Sequence, residues 1–111
     1  MAATNVKWID SPTEHEARKG QTLVTRNHDV IKAWAAEQRG AVPATVAGTE
    51  RDGYLGVATF DFPGYSRENL RHVSWDEWFR TFEARQLVFK YQEHKADGTD
   101  SNFFQLDSPN Q

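Results

Sequence analysis

The spacing of apolar residues switches between helical and extended periods along this chain, and each switch predicts an element. Val30, Ile31, Trp34 and Ala35 fall on one helical stripe and leave Lys32, Glu37 and Arg39 to water, which predicts a helix from His28 to Arg39. Asn27 precedes it as an N-cap, because its side-chain oxygen can accept from a free N–H of the first turn. Asp29 suits the positive end of the helix dipole, and Gly40 supplies the stop. Pro43–Gly48 and Leu55–Phe62 then flank Glu50-Arg51-Asp52-Gly53, the pattern of a hairpin whose Asp-Gly pair tolerates positive φ. Ala58, Phe60 and Phe62 share one face of the second strand, opposite Val57 and Thr59. Pro63-Gly64 ends that strand, and Tyr65 to His72 reads as a polar connector.

The second helix has the clearest start. Ser74-Trp-Asp-Glu77 is a capping box, and Val73 and Trp78 stand at the positions of a hydrophobic staple across it. Trp75, Trp78, Phe79 and Phe82 follow at i, i+3, i+4 and i+7, a face that must be buried. Leu87, Phe89 and Tyr91 alternate with Val88, Lys90 and Gln92 as a half-buried strand. Asp97-Gly98 marks a turn, and Asn102 to Leu106 returns as the last strand. The order helix, hairpin, helix, hairpin (αββαββ) suggests two α-β-β units about 47 residues apart, Asn27 matching Ser74. The fold class expected is α+β, with one four-stranded, mainly antiparallel sheet and both helices packed on one face.

Ahead of these elements, residues 1–21 are polar and aperiodic, so they read as a disordered N-terminal arm. Val6, Trp8 and Ile9 leave open a short edge strand there as the alternative. Residues 22–107 are expected to form a single domain and 108–111 a frayed tail. Composition sharpens this picture in three ways. A chain of 111 residues fits one domain, its core helped by four Trp and seven Phe. The absence of Cys excludes disulfides, thiolate metal sites and cysteine nucleophiles. A net charge of −3 leaves no overall basic footprint for nucleic acid. The first residues, MAATNVKWID, have no apolar signal core, and no apolar run is long enough to span a bilayer, so a cytoplasmic location without a membrane partner is expected.

Candidate chemistry is sparse. His28-Asp29 resembles a base with its orienting carboxylate, but neighbours on a helix do not face each other. The four His, at 15, 28, 72 and 94, show no i, i+4 pairing, so neither a metal nor another cofactor is expected. Asp76 and Glu77 are adjacent carboxylates already employed at the helix start, and Asp61 stands alone before its turn. Ser66, Ser74 and Ser101 lack a nucleophile motif, and no glycine loop is arranged to cradle phosphate. The aromatic face of the second helix could serve as a stacking platform, but its helical spacing makes core the better reading. Tyr54, Tyr65 and Tyr91 lie beside turn or polar residues and are expected at the surface. Arg67 and Arg71, with Arg80 and Arg85, gather around the second helix. Tyr54, Tyr65, Arg67, Arg71 and Tyr91 are therefore the candidate binding residues, and no catalytic residue is assigned.

Thr25-Arg26-Asn27-His28-Asp29, Ile31, Trp34-Ala35, Pro43-Ala44, Asp61-Phe62-Pro63-Gly64 and Ser74-Trp75 carry a resemblance, completed by Glu77, Phe79, Phe82 and Tyr91-Gln92. On these residues the stretch from Thr25 to Leu106 resembles a family of short uncharacterised bacterial proteins often labelled 1,4-α-glucan branching enzyme. A branching enzyme resembles the α-amylase barrel, which takes at least about 200 residues. The label therefore implies at most an accessory carbohydrate-associated module here, and no site residue is carried over. The expectation is a stand-alone binding or interaction module that is not an enzyme. A carbohydrate-associated module is the alternative, and a nucleic-acid-associated protein the more distant one. Its expected partner is a protein or a carbohydrate.

Overall fold

The computed structural model describes residues 6–65 and 69–108. It is a mixed α+β structure with a four-stranded and a three-stranded sheet. The chain divides into two compact units, one from the residues up to Trp34 together with those from Leu87 onward, the other Ala35–Gln86. In place of the single sheet expected from the sequence, each unit has its own sheet.

The discontinuous unit holds β1 (Val6–Trp8), β2 (Thr22–Thr25), β6 (Val88–Gln92) and β7 (Phe104–Asp107), in the sheet order β1-β2-β6-β7. β6 and β7 form the expected hairpin, with Tyr91 opposite Phe104. β2 pairs antiparallel with β6, Leu23 opposite Tyr91, and β1 joins β2 in parallel, Val6 opposite Thr22. Val6–Trp8, within the stretch read as an arm, is thus paired as the edge strand left open as the alternative. Ile9 is 1% exposed, its N–H donates to the Val24 carbonyl at 2.8 Å, and the Thr25 hydroxyl donates to the Ile9 carbonyl at 2.7 Å. A polar stretch can be ordered this way because backbone pairing and one buried apolar anchor do not depend on periodicity. Residues 1–5 of the expected arm, and 109–111 of the expected tail, lie outside the described residues.

α1 (His28–Lys32) starts on the Asn27 cap, whose Oδ1 accepts from the Val30 N–H at 3.0 Å. It widens into a π-helical stretch, Ala33–Glu37, so the expected helix exists with an altered pitch. Trp34 is buried against Phe89 and Tyr91, edge-on at 5.4 and 5.8 Å, and its indole N–H donates to the Gln92 carbonyl at 2.8 Å. That bond satisfies the polar end of a side chain otherwise suited only to the interior.

The continuous unit holds β3 (Val42–Val46), β4 (Ala58–Asp61), β5 (Leu70–His72) and α2 (Trp75–Ala84), with the strands in the order β4-β3-β5. The expected hairpin is present, Thr45 opposite Ala58. The second edge of β3 is taken by β5, Ala44 opposite His72, inside the stretch read as a polar connector. β3 and β6 are each paired on both sides, and the two hairpins lie in separate sheets. Both halves of the capping box are present at Ser74 and Glu77. Trp78 is 0% exposed and stacks between Phe60 at 5.0 Å and Phe82 at 5.7 Å. Its indole N–H donates to the Thr59 carbonyl at 2.9 Å, so the aromatic face of α2 is core and not a platform. Among the described residues no helix is long and apolar enough to cross a membrane.

Candidate functional site

The loop between β3 and β4 owes its shape to a tight turn and a close approach. Asp52 (φ 57°) and Gly53 (φ 82°) occupy the left-handed region together, and the backbones of Arg51 and Tyr54 exchange hydrogen bonds across them at 2.9 and 3.0 Å. This is the primed turn that Asp-Gly favours. Three residues on, the chain passes so near Thr49 that a Cβ on Gly56 would stand 2.0 Å from the Thr49 carbonyl oxygen. Only glycine fits there.

α2 pins this loop from beneath. The Thr81 hydroxyl accepts from the Leu55 N–H at 2.9 Å. The Arg85 guanidinium donates to the Leu55 carbonyl and, at 2.8 Å, to the Gly56 carbonyl. Arg80 places its guanidinium 5.3 Å from the centroid of the Tyr54 ring. Leu55 is buried, whereas Tyr54 and Val57 on either side of it remain exposed. At the base of the loop, Glu50 accepts from the Gly48 N–H at 2.9 Å and from Arg71 of β5 at 2.8 Å. Glu50's own backbone N–H, and after it the Arg71 guanidinium, holds the Glu50 carboxyl below its usual range. The result is a surface loop with a tyrosine beside a cation and its backbone tied at the Arg51–Tyr54 turn and at Leu55-Gly56.

The candidates chosen from sequence fare unevenly. Tyr54 and Arg71 belong to this loop and its support. Tyr65 is 63% exposed in the turn after β4. Arg67 lies outside the described residues. Tyr91 is not at the surface: it is 1% exposed, stacked on Phe89 at 5.3 Å. Alternation puts it on the same face of β6 as Leu87 and Phe89, and its polar sequence neighbours Lys90 and Gln92 belong to the other face. Arg80 and Arg85, seen in the sequence only as part of a loose charge cluster, are the loop's anchors. His72 Nε2 reaches Asp61 Oδ2 at 2.7 Å, a pair that β3 creates by holding β4 and β5 on its two edges. It lies at the surface, the imidazole more than half exposed.

A second polar constellation, in the discontinuous unit, escaped the sequence reading altogether. His15-Glu16 and Glu93-His94 face each other, His15 Nδ1 lying 2.8 Å from Glu93 Oε2 and His94 Nδ1 2.7 Å from Glu16 Oε2. The mirrored dipeptides His-Glu and Glu-His are the only sequence signal, and nothing local connects them across 78 residues. Comparison of the chain with protein-family models, with curated proteins and with solved structures finds no match.

Proposed function

We propose that this chain is a small non-catalytic binding module that holds a protein partner through the loop from Arg51 to Val57. The observation that carries the reading is the pinning of an exposed loop: Thr81 and Arg85 fix the Leu55-Gly56 backbone, so Tyr54 and Val57 are presented in one arrangement. A loop already ordered before binding avoids much of the entropy cost of association. Tyrosine and arginine are the side chains that most often anchor protein interfaces, and Tyr54 with Arg80 supplies both. Binding loops on a rigid scaffold are the usual division of labour in small domains.

Affinity capture from a lysate of the source cells, with the wild type and with Tyr54→Ala and Val57→Asp side by side, tests this. The expected outcome is a protein retained by the wild type and lost by both variants, each variant melting as the wild type does. An unchanged set of retained proteins would remove the loop from the reading. A glycan bound by the wild type and lost in Trp8→Ala or Tyr65→Ala would favour the carbohydrate-associated module instead, since those two aromatics are also exposed.

A further inference from the structure

The crossed His–Glu dipeptides are more than a tie between loop and strand. His15-Glu16 lies on the connection from β1 to β2, and Glu93-His94 directly follows β6. Besides the two imidazole contacts, the Glu16 N–H donates to Glu93 Oε1 at 3.0 Å. Both carboxylate side chains are only 11% exposed. Each carboxylate is thus held largely away from water, against one imidazole. Glu16 Oε1 is fully buried and has no hydrogen-bond partner among the described residues. An unpaired buried acceptor bears its full desolvation cost, which a ligand at this oxygen would offset.

We propose that Glu16, Glu93 and His94 form a binding site for a divalent transition-metal ion of the zinc type. One donor atom from each of the three lies within 4.8 Å of the others. Tetrahedral zinc needs donor atoms about 3.3 Å apart, from metal–ligand distances near 2.0–2.2 Å, so modest carboxylate rotations close the site. One imidazole nitrogen with two carboxylates suits zinc better than calcium or magnesium, which favour oxygen donors alone. His15, through Nδ1 on Glu93, orients that carboxylate from outside the donor set. Asp100 Oδ1, 3.7 Å from His94 Nε2, stands where it would orient the ring and raise its basicity. Where the ion takes His94 Nδ1, it replaces the hydrogen bond to Glu16, and the neutral ring carries its proton on Nε2, toward Asp100. The site would clip the β1–β2 connection to the end of β6, independently of the loop proposed to bind a partner.

Calorimetric titration of Zn2+ into the tag-free full chain provides the test. Saturable binding of one ion per chain is expected, with Glu16→Gln and His94→Gln each weakening it by at least about tenfold. His72→Gln, in the other unit, should leave it unchanged. Co2+ supplies a readout that does not depend on the variants folding. In the wild-type chain its paramagnetic shifts should centre on the amides of residues 15–16 and 93–94. Uptake without saturation, an affinity indifferent to Glu16→Gln and His94→Gln, or Co2+ shifts centred on His72 or scattered over the surface would overturn the proposal.

Discussion

The two units are built on the same device and assembled in opposite ways. Each buries a tryptophan whose indole N–H is held by a strand carbonyl: Trp78 by Thr59 at 2.9 Å, Trp34 by Gln92 at 2.8 Å. Each helix that carries the tryptophan begins on a side-chain cap. In the continuous unit the two partners of that bond are 19 residues apart, whereas in the discontinuous one they are 58 apart. α2 packs with β3 and β4, which precede it, and Trp34, just past α1, packs with β6 near the other end of the chain. The lesson is that a similar local code can be satisfied by near or distant partners. The extra cost of the distant choice is small because loop-closure entropy rises only slowly with length.

The largest effects test the shared device. Trp78→Ala and Trp34→Ala should each destabilise the chain by roughly 3–5 kcal/mol, a large part of the 5–15 typical of small domains. Urea denaturation measures both. An unshifted midpoint for Trp78→Ala, with tryptophan emission unchanged, would show that the aromatic cluster of α2 is not the core of its unit.

Next in size is the anchor that makes the discontinuous unit possible. Ile9→Ala removes a buried side chain and should cost about 2–5 kcal/mol. A loose arm would produce no change, so a midpoint matching the wild type would return residues 6–21 to the reading that their composition suggested.

The caps distinguish the units more finely. Ser74→Ala should cost about 1 kcal/mol through loss of the capping box. Asn27 has a second task, since its Nδ2 donates to the Asp10 carbonyl at 3.0 Å. Asn27→Ala should therefore cost more than Ser74→Ala, toward about 2 kcal/mol. Equal shifts in the two variants would mean that the tie to Asp10 contributes nothing.

The smallest effect concerns the base of the loop in the continuous unit. Glu50 is held below its usual pKa of 4.5, first by its own backbone N–H and then by Arg71. A carboxyl depressed in the folded state adds stability above its unfolded value and loses it as the pH falls through the folded one. The wild type should thus slightly exceed Glu50→Gln in stability at neutral pH, and the gap should close below pH 4.5. Exposure to solvent keeps it small. Thermal melts at a series of pH values would show a gap of constant size if the Glu50 carboxyl were not depressed in the folded chain.

Whatever depends on neighbours within one helical turn or one tight hairpin could be read directly. The Asn27 and Ser74 caps, the stripe through Trp78 and Phe82, the turn at Asp52-Gly53 and the pairing of β3 with β4 and of β6 with β7 all belong to that class. In the candidate loop, Tyr54 and Arg71 were visible as residue types, but not the anchoring by Thr81, Arg80 and Arg85. That anchoring joins residues 26 to 30 positions apart and has no periodic signature.

By itself, then, the sequence determined the α+β class, the starts of both helices and the two hairpins, because caps, periods and turns are enforced by contacts along a few residues. Tertiary structure alone decided that β5 closes β3, that β2 takes the inner edge of β6 and that β1 extends the sheet. It also decided that His15-Glu16 meets Glu93-His94. Pairing of an edge and convergence of charges depend on which surfaces remain unsatisfied once the local elements exist. That is a property of the whole chain, and no short window of it contains the information.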